Sequence, residues 1–273
     1  MSEKLKILHD ATRIKIMAIL NYTNDSFYDG GQYNTPEKFF ARAEQCISEG
    51  ADILDVGLAS TRPGAPLIQS KHEWETLKPL LTQLRKKYPD ILISVDTYNS
   101  YTAEKSIESG ADIINDISGG QFDDKMFDIV SNHKNIFYVL MHTPDIPEKM
   151  QQKTNYNDIV TDIQQYFQER IQILENKGFS NIIIDPGFGF GKTIEQNYQL
   201  LNCLKELESL QKPILAGLSR KSMIYKKLNT TPQDEKTLTG TVILNTVAVQ
   251  NGARILRVHD VKEAGLMRWL LSL

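Results

Sequence analysis

Gly50-Ala51-Asp52-Ile53-Leu54-Asp55 recurs as Gly110-Ala111-Asp112-Ile113-Ile114-Asn115, and more loosely as Gly252-Ala253-Arg254-Ile255-Leu256-Arg257. In each copy a glycine closes a helical pattern and a β-branched run starts at once, as expected where a helix stops and a strand begins. Outward from these copies the same alternation fills the chain. Short apolar runs lie at Ile14–Leu20, Ile53–Val56, Ile91–Val95, Ile113–Ile117, Ile136–Met141, Ile182–Ile184, Pro213–Ala216 and Ile255–Val258. They are continuous rather than alternating, which suits parallel strands buried on both faces. Helical patterns lie between and after them: Pro36–Ser48, Lys71–Lys87, Tyr101–Glu108, Asp124–Asn132, Ile159–Lys177, Glu195–Leu210, Leu238–Gln250 and Val261–Leu271. Strand-then-helix units of about 34 residues each predict one closed (β/α)8 barrel as a single domain over residues 1–273.

Composition narrows the function. The 273 residues carry 31 Lys+Arg against 34 Asp+Glu, a net charge of −3. That balance argues against a nucleic-acid binder, which usually shows a basic patch or stripe. Two cysteines, Cys46 and Cys203, are too few for a disulfide framework or a cysteine metal site. No apolar run approaches the ~18 residues of a membrane span. The charged N-terminal segment lacks the apolar stretch of a secretory signal. The expectation is a cytoplasmic protein.

In such barrels the active site is built at the C-terminal ends of the strands. Here those ends are polar: Asn21, Asp55, Asp96-Thr97, Asn115-Asp116, His142, Asp185, Ser219-Arg220-Lys221-Ser222 and Arg257-Val258-His259-Asp260. Any single strand meets polar residues as it leaves the core. Eight such ends crowding one mouth are costly unless a ligand uses them. Asp96, Asn115 and Asp185 can accept from ring N–H and amino groups, and Lys221 can donate to a ring carbonyl. Arg257 and His259 can hold an anion, and arginine can also stack on a ring. The residues by themselves point to a barrel enzyme for a nitrogen heterocycle bearing anionic groups.

Longer blocks sit at the same places. They are Met17-Ala-Ile-Leu-Asn21-Tyr-Thr-Asn24-Asp25-Ser-Phe27-Tyr-Asp29-Gly-Gly31, Ser60-Thr61-Arg62-Pro63-Gly64-Ala65 and Ile93-Ser-Val-Asp96-Thr97-Tyr98. They continue as Ala111-Asp-Ile-Ile-Asn115-Asp116-Ile-Ser-Gly-Gly120, Met141-His142 and Asp185-Pro-Gly-Phe-Gly-Phe190-Gly-Lys192-Thr193. Gly217-Leu-Ser219-Arg220-Lys221-Ser222 and Arg257-Val258-His259-Asp260 close the series. Together, and in this order, they resemble the dihydropteroate synthases over nearly the whole chain.

The resemblance implies a transferase of folate synthesis. It would join a dihydropterin methyl diphosphate to p-aminobenzoate, releasing diphosphate. By the same resemblance Asp96, Asn115, Asp185 and Lys221 hold the pterin, Arg257 stacks on it, and Arg257 and His259 contact the diphosphate. Asn21 is implied as the side-chain ligand of a Mg²⁺ shared with the diphosphate. Thr61, Arg62, Phe190, Ser219 and Ser222 are implied to shape the aminobenzoate pocket. Sulfonamide mimics of aminobenzoate and a homodimer belong to the same expectation. Loops 22–34 and 58–68 are candidates to close over the site.

The chain departs from the family pattern at Asn24, where proline is usual, and at Gly57-Leu58-Ala59, where Gly-Gly-Glu is usual. Phe188 and Gln196 stand where Ile or Val and His are commoner, and read as packing variation. Two other functions fit parts of the pattern: a related pterin barrel that passes a methyl group to a corrinoid protein, and a catalytically silent barrel acting as an assembly partner. The methyl-transfer barrel has no need for Asn21 with Mg²⁺ or an Arg257/His259 grip on diphosphate, and the silent barrel is suggested by the altered Asn24 and Ala59 loops.

Blander readings apply elsewhere. Gly187-x-Gly189-x-Gly191-Lys192-Thr193 looks like a phosphate-binding loop, but Pro186 stands where its first glycine is required. Asp55 and Asp116 read as residues ordering the mouth, His142 as a satisfied histidine at the core edge, and Cys46 and Cys203 as small apolar fillers.

Overall fold

The computed structural model describes residues 3–10, 12–22, 35–58 and 69–271. Eight parallel strands close into one barrel in sequence order. They are β1 (Lys15–Asn21), β2 (Ile53–Gly57), β3 (Leu92–Asp96), β4 (Ile113–Asp116), β5 (Phe137–Met141), β6 (Ile182–Asp185), β7 (Ile214–Ala216) and β8 (Ala253–Val258). Around them run α1 (Pro36–Ser48), α2 (Ser70–Lys87), α3 (Ser100–Glu108), α4 (Met126–Asn132), α5 (Ile159–Asn176) and α6 (Ile194–Asn202). The outer ring closes with α7 (Ser222–Tyr225), α8 (Glu235–Gln250) and α9 (Val261–Leu271). All eight expected strands are present. Gly50 and Gly110 adopt φ of +97° and +94°, which a side chain would strain, so they stop α1 and α3 as the repeated hexapeptide implied.

Successive strand residues point to opposite faces, and the core divides accordingly. Ile16, Ala18, Leu20, Leu54, Val56, Ile93, Val95, Ile114, Tyr138 and Leu140 face outward into a cluster shared with the helices. Met17, Ile53, Leu92, Ile113, Phe137, Val139, Ile183, Leu215 and Ile255 face inward and fill the lower barrel. Leu5 and Leu8 join this inner cluster from below. They lie on a short 3₁₀ helix, Glu3–His9, where residues three apart eclipse. The sequence had shown only a charged segment there.

Several helix ends differ by one or two residues, α7 is not among the expected helices, and two differences are larger. The single helix expected over Glu195–Leu210 is α6 followed by a 3₁₀ turn, Leu204–Leu210. Leu201, Leu204 and Leu207 are all buried, and their three-residue spacing suits three residues per turn better than 3.6. α8 starts three residues before the expected Leu238, because the Asp234 side chain accepts from Lys236 N at 2.7 Å and caps it.

Candidate active site

Two residues beyond four of the inner apolar positions, the same strand face carries chemistry. Ile53 is followed on its face by Asp55, Ile113 by Asn115, Ile183 by Asp185 and Ile255 by Arg257. The register sets Asn21, Gly57, Asp96 and Asn115 side by side on four adjacent strands. Asp185 sits beside Met141 on the far side of the mouth.

Arg257 lies across the centre. Its Nε donates to Asp55 Oδ2 and its Nη2 to Asp96 Oδ2, each at 2.6 Å. Asn115 Nδ2 donates to the same Asp55 oxygen at 3.0 Å. Burial opposes the Arg257 charge, but Asp55 and Asp96 hold its pKa above the usual arginine value. Burial pushes the Asp96 carboxyl up, against the pull of Arg257. The second oxygens, Asp55 Oδ1 and Asp96 Oδ1, are buried and accept no hydrogen bond within the described residues. Unpartnered buried carboxylate oxygens are costly, and donors from a bound molecule would satisfy them.

Gly217 brings the other half of the mouth together. A side-chain carbon there would stand 3.9 Å from Asp185 Oδ2, 3.9 Å from Lys221 Nζ and 4.0 Å from Arg257 Cβ. A bare backbone thus leaves room where an acid, an ammonium and the guanidinium stem converge. Burial lowers the Lys221 pKa to about 8, with Asp185 opposing the shift. Burial raises that of Asp185, with Lys221 opposing. Lys221 Nζ also lies 4.6 Å over the Phe190 ring. Phe190 packs on Tyr98, Ile117 and Met141, an apolar wall suited to a flat ring.

Ser219 accepts from His259 N at 3.2 Å and lies 3.1 Å from His259 Nδ1. Burial brings the His259 pKa down to about 4, against the attraction of Asp260. Ser222 is the first residue of α7, directly after Lys221. Asn21 ends β1, with its Oδ1 3.5 Å from where a Gly57 side chain would begin. Thr61, Arg62 and the two departures Asn24 and Ala59 lie outside the described residues, as do most of loops 22–34 and 58–68. The structure therefore brings Asp96, Asn115, Asp185, Lys221, Arg257 and their neighbours Asn21, Phe190, Ser219, Ser222 and His259 to one end of the barrel.

Several partners of this site were not assigned from sequence. Arg220, at a left-handed φ of 54°, makes a bidentate pair with Asp260 at 2.8 and 2.9 Å. It ties the loop after β7 to the end of β8. Glu73 on α2, 2% exposed, accepts from Thr97 Oγ1 at 2.8 Å and Asn99 Nδ2 at 2.9 Å behind Asp96. Both pairs join residues far apart in sequence, so no local pattern announced them. Asp116 orders the backbone, as read: it accepts from Ser118 N, Gly120 N and Tyr138 OH. Asp55 instead lies within the site as the partner of Arg257. Phe188 is fully buried, and Gln196 completes a capping box with Thr193, so both departures serve packing and capping.

The comparisons agree with this geometry. Residues 17–259 match the pterin binding enzyme family. A dihydropteroate synthase of Synechocystis sp. is 40% identical over 252 residues, covering 92% of this chain and 86% of that protein. The dihydropteroate synthase of Yersinia pestis, solved with a sulfonamide drug, superposes with a TM-score of 0.89 at 37% identity, covering 96% of this chain and 93% of that one. That of Xanthomonas albilineans, solved with 7,8-dihydropteroate, gives a TM-score of 0.83 at 33% identity, covering 95% and 93%.

Proposed function

Because this chain belongs to the pterin binding enzymes, and among them to the dihydropteroate synthases, we propose that its barrel mouth carries out their reaction. A dihydropterin methyl diphosphate and p-aminobenzoate are joined into 7,8-dihydropteroate, and diphosphate leaves. The observation that carries this reading is the buried set around Arg257: Asp55 and Asp96 with unfilled oxygens, and Asn115, Asp185 and Lys221 beside them.

The pterin lies flat in the mouth. Asp96, Asn115 and Asp185 accept from its N–H and amino groups, and Lys221 donates to its carbonyl. Arg257 stacks on the ring face, and with His259 it receives the diphosphate. The C–O bond to diphosphate breaks and the electron pair leaves with the oxygen. The remaining methylene cation is conjugated with the electron-rich ring, and the Asp96 carboxylate is assigned to stabilise its charge. The neutral arylamine then attacks, an N–C bond forms, and the proton is lost to water. Phe190, Ser219 and Ser222, with Thr61 and Arg62, border the aminobenzoate.

A single protein oxygen, from Asn21, is assigned to Mg²⁺. Asn21 stands at the end of β1 in register with Gly57, which is in turn in register with Asp96, and one amide oxygen there suits an ion carried mainly by phosphate and water. Asn21 would hold Mg²⁺, which when bound would supply charge neutralisation at the leaving group.

The proposal extends to a homodimer. Ile243, Leu266, Trp269 and Leu270, on α8 and α9, are 55–75% exposed, an apolar set that a second copy would cover. Sedimentation should give a dimer, and Trp269→Glu should shift it toward monomer. A cytoplasmic location is supported by the free thiols Cys46 and Cys203, and no described helix is long and apolar enough to cross a membrane.

Release of diphosphate on mixing both substrates with Mg²⁺ tests the function. Release that needs aminobenzoate supports the reading. No release overturns it, and is what methyl transfer or a silent barrel would give.

A further inference from the structure

The run after β6 has a lysine where a phosphate loop would aim one at its ligand. Here that lysine turns inward. Lys192 is 5% exposed. Its Nζ donates to Gly187 O at 2.9 Å and Phe190 O at 3.0 Å, and lies 3.1 Å from His142 Nδ1. Burial, and then the Lys221 charge, lower the Lys192 pKa well below its usual value, with Asp185 opposing, while the three acceptors around Nζ match the three protons of an ammonium and favour it. Burial, and then Lys192 itself, lower the His142 pKa well below its usual value, so the imidazole is neutral and Nδ1 can accept.

The rest of the loop is bonded from other directions. Gly187 N donates to Asp185 Oδ1 at 2.8 Å, and Gly189 N to Asn197 Oδ1 at 2.7 Å. Gly189 O accepts from Gln151 Nε2 at 2.8 Å, and Gly191 O from Tyr156 OH at 3.0 Å. Gly187 is also pressed to His142: a side chain on it would meet the His142 carbonyl oxygen at 2.0 Å. Within this frame Phe188 O accepts from Lys221 Nζ, and the Phe190 ring lies under the same ammonium. Lys192 therefore closes the turn that seats Lys221, without itself reaching the mouth.

Resting on the pterin reading above, we propose that Lys192 is a positioning residue for Lys221. Its ammonium fixes the turn from Gly187 to Phe190, and that turn holds Lys221 at the angle from which it meets the pterin carbonyl. Substrate binding is thereby tied to a buried lysine whose hydrogen bonds reach only the loop and His142.

A double-mutant cycle tests this. The variants are Lys192→Met, Lys221→Met and the pair. The readout is the dissociation constant of the dihydropterin diphosphate, by calorimetry without aminobenzoate. Lys192→Met is expected to weaken binding about tenfold in the native background, and less than about threefold once Lys221 is methionine. The KM for the pterin should rise in the native background by more than kcat falls. An equal loss in both backgrounds would mean that Lys192 only supports the fold, and would overturn the proposal. Should Lys192→Met not fold, His142→Leu removes one of the three acceptors and leaves the lysine. It enters the same cycle with the same expectation, and additivity there overturns the proposal too. A wild-type enzyme that releases no diphosphate defeats the functional reading instead, so the two failures are distinguishable.

Discussion

The lower and upper layers of this barrel are built from the same strands two residues apart, and they do opposite work. Below, Met17, Ile53, Leu92, Ile113, Phe137, Ile183 and Ile255 pack against one another and against Leu5 and Leu8. Above, Asp55, Asn115, Asp185 and Arg257 are gathered at the same lumen, where one buried oxygen each of Asp55 and Asp96 is left unfilled among the described residues. The lower layer gains by leaving water. The upper layer loses unless a ligand arrives. The difference is between residues that stabilise the fold and residues that the fold must hold against their own preference.

Substitutions in the two layers should therefore separate stability from chemistry. Phe137→Ala, in the lower layer, should lower the unfolding free energy by ~3–5 kcal/mol, the usual range for a buried aromatic. Denaturant titration measures this, and the protein still folded should keep its KM values. Arg257→Ala, in the upper layer, should lower kcat at saturating substrates by about a hundredfold or more, the scale for losing a positioned donor at developing charge. A normal turnover number would remove Arg257 from the leaving-group end. Asp185→Asn should weaken pterin binding by ~1–3 kcal/mol, the cost of one mismatched buried partner. Calorimetry giving an unchanged affinity would take Asp185 out of the pocket.

The smallest effect concerns pH. Burial brings the Lys221 pKa to about 8 in the free enzyme. Below that value the ammonium is charged and donates to the pterin carbonyl. As pH rises through it the proton is lost, so kcat/KM for the pterin should decline above about pH 8. That limb should be missing in Lys221→Met. A profile flat to pH 9.5 would show that Lys221 does not contact the pterin as a cation.

The barrel was readable from sequence because buried parallel strands are uniformly apolar and their ends are not. Polar residues following Ile53, Ile113, Ile183 and Ile255 at the inward period mark the mouth before any contact is known. What the pattern does not carry is the pairing among them. Asp55 resembles an ordinary turn residue until Arg257, on the strand across β1, is seen to share it with Asn115. Lys192 reads as a failed phosphate loop until its partners prove to be its own loop and His142. Leu204–Leu210 reads as the end of one longer helix because leucines three apart suit either helix type over so short a span, and only their common burial selects the tighter one.

A crystal structure with the dihydropterin diphosphate bound tests the central claim most directly. The ring should lie in the barrel mouth, with Asp96, Asn115, Asp185 and Lys221 on its edge and Arg257 on its face. A ring bound elsewhere, with the Asp55 and Asp96 oxygens still unfilled, would contradict it.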